Sequence, residues 1–329
     1  MRALVFTATE ALELREIEPP APAPGQAVVR ISQCGICGSD MHAWHGQDSR
    51  RVPPLVLGHE AVGVVETGPL SGRRVAINPL MTCGSCPVCN TGREHLCPTR
   101  ELIGMRVPGA FAEHVAIAEA NLTPLPDHLD FAHAVVAEPL AVAVHAVGLA
   151  PSIAAGMARS VTVLGGGAVG MLAAMVLRHR GVEHLVVAET NAGRRAALDR
   201  LLGAGTAYDP LAETPIAEGR SDVVIDAVGS GPTRAAASAL VAPGGTIVHL
   251  GLQDNAPGLD TRRLTLQEIT LVGVYCYTRA DFAAGLDLLA SRAITTDGWA
   301  QTRPLADGAR AFEDIDAGRA PAKLVLAME

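Results

Sequence analysis

The stretch that most constrains this chain is Val161-Thr-Val-Leu-Gly165-Gly-Gly167-Ala-Val-Gly170. A short apolar run leads into G-x-G-x-x-G, and an apolar helical pattern follows as far as Arg180. Glycines at these positions let backbone approach a pyrophosphate, whose charge then sits on a helix N-terminus. The pattern gains weight from its context. A second apolar run, 185–188, ends in Glu189, about twenty residues beyond the last glycine, where a carboxylate can accept bonds from adenosine ribose hydroxyls. The same carboxylate repels a 2′-phosphate, which favours NAD over NADP, while Arg194 and Arg195 nearby pull the other way. Gly165, Gly167, Ala168, Val169, Gly170, Glu189 and Arg194 are therefore the candidate cofactor residues. Apolar runs at 223–227, 246–250 and 271–275 alternate with helical patterns at 191–202 and 233–241. Strands alternating with helices predict a parallel sheet covered on both faces, an α/β fold.

A chain of 329 residues has room for about two domains. Residues 3–6, 12–17, 27–31, 61–67, 74–77 and 111–117 read as strands of a small barrel, with a proline-rich extended connection at 19–25. Helical patterns at 131–136 and 140–149 follow, with Pro139 in a first turn where its missing N–H does little harm. The C-terminal part reads as helices at 281–290 and 308–317 and a last strand at 323–327. Aromatic residues make up only 3% of the chain, so the core is expected to be Ala, Val and Leu. A net charge of −8 argues against a nucleic-acid surface. The apolar stretch 135–158 contains Glu138, Pro139, His145 and Pro151, which suits buried helices and no membrane span. With no signal-peptide pattern at the N-terminus, a cytoplasmic protein is expected. Its seven cysteines then read as metal ligands before disulfides.

Cys83, Cys86, Cys89 and Cys97 form C-x2-C-x2-C-x7-C on one short lobe. Four thiolates can close a tetrahedral zinc shell with no open position, which makes such a site structural. An iron–sulfur cluster and a nucleic-acid zinc ribbon are the rival readings. The lobe has only Arg93 and Arg100 nearby and no aromatic platform, which speaks against the ribbon. A second constellation starts at Cys34-Gly-Ile-Cys37-Gly-Ser-Asp and ends at Gly58-His59-Glu60. Thiolate, imidazole and carboxylate are all zinc ligands, and a set gathered from two loops leaves a position for water or substrate. The alternative is a buried cysteine and a core histidine that never meet.

Taken in order, the segments CGICGSDMHAW, GHEAVGVVE, CGSCPVCNTGREHLC, GAFAEH, AEPLAVAVHA and GGGAVG resemble the zinc-dependent branch of the medium-chain dehydrogenases over essentially the whole chain. Polyol dehydrogenases of the sorbitol, L-idonate and galactitol-phosphate types are nearest. The resemblance implies a GroES-like β-barrel catalytic domain (1–146 and 283–329, with the zinc lobe at 80–100) interrupted by a Rossmann domain at 147–282. It implies two zinc ions per chain and NAD. Cys37 and His59 hold the catalytic zinc, Glu138 is expected as a further ligand with Glu60 exchanging in, and Ser39 and His42 form a proton relay. Cys34 belongs to the core, and Asp40, His45 and Glu66 stay off the metal. The implied activity is oxidation of a secondary alcohol or small polyol to a ketone. An anionic sugar acid or sugar-alcohol phosphate is the alternative substrate, and a non-catalytic nucleotide- and zinc-binding protein the alternative from another class. A homodimer or homotetramer is expected.

Two departures from that pattern bear on the substrate and the barrel. Cys276 and Tyr277 stand where sorbitol-type enzymes carry Arg-Tyr, and Ala43 replaces a tyrosine, which removes polar partners for a long polyol. Trp44, Arg106, Cys276 and Tyr277 are the candidate substrate contacts. The connection from Glu66 to Arg73 is short, so the barrel hairpin there must be tight.

Overall fold

The computed structural model describes residues 1–213 and 215–328. The chain divides into two compact units, Met1–Glu138 with Thr278–Glu329, and Pro139–Tyr277. Both breaks fall earlier than the expected 146/147 and 282/283. The helix Ala137–Gly148 is one continuous element, so its body goes with the second unit. The helix Arg279–Ala290 goes with the first. Its N-cap is Thr278, and its end is held by His128 Nε2, 3.1 Å from the Ala290 carbonyl oxygen.

The first unit is built on a seven-stranded sheet. Its path runs Leu122–Pro124, Arg74–Ile77, Glu60–Val65, Gln26–Gly35, Lys323–Ala327, Ala300–Pro304, with His114–Ala118 also paired to Gln26–Gly35. A three-stranded sheet of Ala11–Glu16, Arg2–Ala8 and Leu55–Val56 lies in the same unit. Gln26–Gly35 is the organising strand, with largely alternating burial until it turns inward at Cys34 and Gly35. Gly35 pairs with Glu60 on one side and Val325 on the other. The hairpin after Val65 is tight, closed by Val65 N–H to Arg73 O at 3.0 Å and Gly72 N–H to Val65 O at 2.8 Å.

The core of this unit is mostly the expected Ala, Val and Leu, with a few aromatic residues among them. Phe6, Trp44, Phe111 and Phe312 cluster in it, and Phe111 meets Phe312 edge to face at 6.1 Å and 88°. The few aromatic residues are concentrated there because an aromatic pair gains from edge-to-face geometry beyond the area it buries.

The second unit is a six-stranded sheet, parallel throughout, ordered Ala207–Tyr208, His184–Ala188, Ser160–Leu164, Ser221–Asp226, Val241–His249, Thr270–Gly273. In chain order this is 3-2-1-4-5-6, the doubly wound arrangement that binds dinucleotides where the order reverses. Its β-branched strands are buried, as expected for a sheet with helices on its faces. The outer strand Thr270–Gly273 is the exception. It is largely exposed and has no outer partner strand among the described residues. No helix among the described residues is long and apolar enough to cross a membrane.

Candidate active site

The four-cysteine lobe is assembled locally. Pro87–Asn90 forms one helical turn capped by Cys86, whose sulfur accepts from Cys89 N–H. The sulfur separations are 3.8 Å for Cys83–Cys89, 3.5 Å for Cys86–Cys89, 4.0 Å for Cys86–Cys97 and 3.6 Å for Cys97–Cys83. A tetrahedron with Zn–S arms of about 2.3 Å has edges of about 3.8 Å, so the lobe fits a zinc ion closely. The N–H groups of Ser85 and Cys86 point at Cys83 Sγ and bring its pKa down to about 5, which favours a thiolate there.

A second group gathers Cys37, His59 and Glu60, with their ligand atoms within 4.8 Å of one another. Cys37 stands at the N-cap of the helix Gly38–Trp44. His59 and Glu60 lie at the start of the strand Glu60–Val65, brought over Cys37 by the pairing of Gly35 with Glu60. Asp40 joins the two loops. Its carboxylate accepts from Cys37 N–H at 3.0 Å and Gly58 N–H at 3.4 Å, and lies 3.5 Å from His59 Nδ1. With Nδ1 facing Asp40, Nε2 is the His59 nitrogen available to an ion, and a carboxylate behind a ligating histidine raises its basicity. Burial works to raise the Asp40 pKa, but the charges of His59 and Arg51 and the Cys37 bond hold it below the usual carboxylate range. Burial would likewise lower His59. Asp40 and Cys37 outweigh it and hold His59 well above its ordinary value before an ion displaces the proton.

Glu138, near the start of the helix Ala137–Gly148, is buried but lies outside the Cys37 group. Glu60 is the carboxylate that stands with the cysteine and histidine. It is also ion-paired with Lys323, whose ammonium donates to the Ile36 carbonyl at 2.8 Å. Burial disfavours that ammonium, yet Glu60, Cys37 and Glu138 raise its pKa above the ordinary lysine value. The donors present, one thiolate, one imidazole and nearby carboxylates, suit a zinc ion with a position left for an oxygen ligand.

Ser39 and His42 sit three apart on the helix Gly38–Trp44 and so share a face. His42 Nδ1 lies 3.1 Å from Gln47 Oε1. Ser39 Oγ accepts from Arg51 at 3.2 Å.

In the second unit, Gly165 has a left-handed φ of 96°, and a Cβ there would come 2.5 Å from Val228. A Cβ at Gly170 would collide with the Gly165 carbonyl oxygen, so the helix Ala168–His179 can start this close to its strand only with glycine there. Glu189 accepts from Gly166 N–H at 2.8 Å and Asn191 N–H at 2.7 Å. A carboxylate offers about four acceptor positions, so capacity remains for ribose hydroxyls. Arg195 is committed to the carbonyls of Glu189 and Thr190 and to Asp209. Arg194 donates its backbone N–H to Asn191 Oδ1, the helix cap.

Of the four substrate candidates, Trp44 and Arg106 lie in the first unit and Cys276 and Tyr277 in the second. Trp44 is 7% exposed and packs against Phe312 with centroids 6.2 Å apart. Arg106 is on the surface, paired with Glu101 at 3.3 Å. Cys276, with φ of 49°, and the buried Tyr277 end the second unit. Two residues beside the metal group escaped the sequence reading, Lys323 and Arg51. A lysine opening the apolar run Lys-Leu-Val-Leu-Ala was the one visible signal for the first.

Comparison with known proteins gives two family-model matches, the alcohol dehydrogenase GroES-like domain over residues 23–127 and zinc-binding dehydrogenase over residues 168–291. L-galactonate-5-dehydrogenase of Escherichia coli (strain K12) is 33% identical over 310 residues, 90% of this chain and 89% of the relative. L-threonine 3-dehydrogenase of Saccharopolyspora erythraea is 33% identical over 293 residues, 84% of each chain. The solved structure of L-idonate 5-dehydrogenase from Escherichia coli K-12 is similar with a TM-score of 0.90 at 25% identity, covering 99% of this chain and 98% of that one.

Proposed function

Because this chain belongs to the zinc-binding alcohol dehydrogenases with a GroES-like domain, we propose that it oxidises a secondary alcohol of a small polyol to a ketone with NAD as hydride acceptor. The observation that carries the reading is the gathering of Cys37, His59 and Glu60 on the helix and strand that also bring Ser39 into the same unit. When bound, zinc supplies a Lewis acid that lowers the pKa of an alcohol, and the nicotinamide takes the hydride. In this proposal Cys37, His59 and a carboxylate hold the ion. Glu60 groups with Cys37 and His59, and Glu138 is the second carboxylate able to serve. One thiolate and one carboxylate would balance the ion's two charges, leaving the site near neutral. Asp40 orients His59. Ser39 accepts the alcohol proton while giving its own onward, and His42 returns a proton to water, since hydroxyl and imidazole both donate and accept.

In the second unit Gly165, Gly167, Ala168, Val169 and Gly170 form the pyrophosphate turn, and Glu189 takes the adenosine ribose in this reading. Arg195 is already engaged by backbone carbonyls, which supports NAD over NADP. Cys83, Cys86, Cys89 and Cys97 hold the structural zinc.

A second reading of the substrate is favoured by the relatives. L-Galactonate, L-threonine and L-idonate, in the names of those proteins, each combine a carboxylate and a secondary alcohol in one molecule. The deciding experiment measures NADH formation with a short vicinal diol, sorbitol, a sugar acid and a sugar-alcohol phosphate. The small-polyol reading requires the highest kcat/KM on the diol. The highest value on the sugar acid or the phosphate selects the second, and no NADH with any of them rejects both.

We also propose a cytoplasmic homo-oligomer. No cysteine among the described residues is in a disulfide, as expected in a reducing compartment. The edge strand Thr270–Gly273 leaves unpaired backbone and Leu271, 42% exposed, for a second copy. Sedimentation equilibrium tests this, and a monomer at micromolar concentration would reject it.

A further inference from the structure

We propose that Arg51 is a positioning residue that fixes the direction in which Ser39 passes a proton. This rests on the reading of Ser39 as the hydroxyl that receives the proton of the reacting alcohol. The Arg51 side chain is 1% exposed, although it belongs to the connection between the helix Gly38–Trp44 and the strand Leu55–Val56. Its guanidinium is held on three sides. Nε donates to the Gly104 carbonyl at 2.9 Å, Nη1 to Asp48 Oδ2 at 2.6 Å, and Nη2 to Ser39 Oγ at 3.2 Å.

Two of those three partners are themselves fixed. Asp48 is bonded by the Arg50 backbone N–H at 3.0 Å and by Arg50 Nε at 2.8 Å. Gly104 has φ of 74°, and a Cβ there would stand 2.8 Å from the Gly58 carbonyl oxygen, so the loop is pressed against the residue before His59. The clamp therefore has a rigid floor and a rigid wall, and its third arm reaches the serine.

The consequence follows from what a guanidinium can do. It has only donors and does not lose its charge at any pH the protein survives. Ser39 can accept from Arg51 but can never donate to it. A hydroxyl has one hydrogen and two lone pairs. With one lone pair filled, one acceptor position and one donor position remain. In turnover the alcohol O–H bond breaks and a new O–H bond forms at the free lone pair of Ser39 Oγ. The original Ser39 O–H bond breaks, and its proton passes on towards His42 or water. Ser39 ends neutral, and the hydride leaves the substrate carbon separately for the nicotinamide. Arg51 thus keeps the serine hydrogen from pointing at the guanidinium and leaves it for another acceptor. The fixed positive charge also favours whichever instant leaves more negative charge on Ser39 Oγ.

A double-mutant cycle on the zinc-loaded enzyme tests this, using Arg51→Met, Ser39→Ala and the pair. Arg51→Met is expected to lower kcat about tenfold, within the range typical of proton-transfer groups. KM and zinc content should stay unchanged, and the solvent isotope effect should rise. In the Ser39→Ala background the same change is expected to alter kcat less than about twofold, because groups that act as one unit are non-additive. The thermal midpoints should also be non-additive, a readout of the bond independent of turnover. Equal losses in both backgrounds would reduce Arg51 to a loop clamp and overturn the proposal. Full turnover in Ser39→Ala would instead overturn the relay reading, and the role of Arg51 with it. If Arg51→Met does not fold, Arg51→Gln decides. Its amide also accepts, so Ser39 regains a choice of direction, and a wild-type kcat and isotope effect in that variant would overturn the proposal.

Discussion

Lys323 and Glu60 form a closed ion pair beside Cys37, with each side chain only 1% exposed. They reach each other across Gly35, because a Cβ at that position would collide with Glu60 Oε2 and stand 2.7 Å from Lys323 Cε. A glycine in the middle of a sheet costs conformational entropy. Here it provides the gap through which an ammonium from one neighbouring strand meets a carboxylate from the other.

Lys323→Met should therefore be costly. Removing one member of a buried pair leaves the other charge unpartnered, at about 3–5 kcal/mol. Denaturant unfolding of the metal-free protein should show a loss in that range. Lys323→Arg, which keeps the charge, should lose less. A loss below about 1 kcal/mol in Lys323→Met would mean that the pair is solvated in solution.

Removing metal should separate the two centres. The four-cysteine lobe offers no open position, so a mild chelator should take the ion at Cys37 and His59 first, together with activity. Elemental analysis should find two zinc ions per chain in the untreated protein and one after treatment. Cys37→Ala should abolish turnover in a folded chain. Cys89→Ala should lower the thermal midpoint, since structural zinc binding is folding free energy.

Glu189→Ala should weaken NAD binding and narrow the preference over NADP, as read by titrating each cofactor against the protein. Glu189 also bonds Gly166 and Asn191, so the glycine turn itself should loosen. A wild-type protein that already prefers NADP would reverse the argument and assign the 2′-phosphate to Arg194.

Asp48 should make acid stability pH-dependent. Burial acts to raise its pKa, but its bonds to Arg50 and the charges of Arg50 and Arg51 bring it down to about 2. A folded value below the unfolded one means the stabilisation is present above about pH 4 and is lost as pH falls towards 2. Asp48→Asn should flatten the acid limb of the stability profile between those values while lowering stability at neutral pH.

What could be read from the sequence followed the range of the interaction. The four cysteines lie within one lobe and the glycine turn within one strand–helix junction, so spacing alone carried both. Cys37 and His59 could be paired through the family resemblance, although they come from separate loops. Lys323 and Arg51 could not. Each matters because of strand register or loop packing that places it against Glu60 or Ser39, and neither is part of a local pattern. Side-chain direction was the other difficulty. Trp44 and Arg106 both stand near the motifs in sequence, yet Trp44 turns into the core towards Phe312 and Arg106 out to Glu101. The scarcity of aromatic residues hid their concentration in one core.

The bond from Lys323 to the Ile36 carbonyl spans 287 residues of sequence. Chains fold as they emerge, N-terminal parts first. During synthesis Cys37, His59 and Glu60 are therefore exposed without their ammonium partner, and an ion arriving then meets one more uncompensated negative charge than the finished protein offers. Glu60 gains its ammonium partner only once Lys323 has been made, whereas the cysteine lobe, whole within residues 83–97, depends on no later residue for its ligand set.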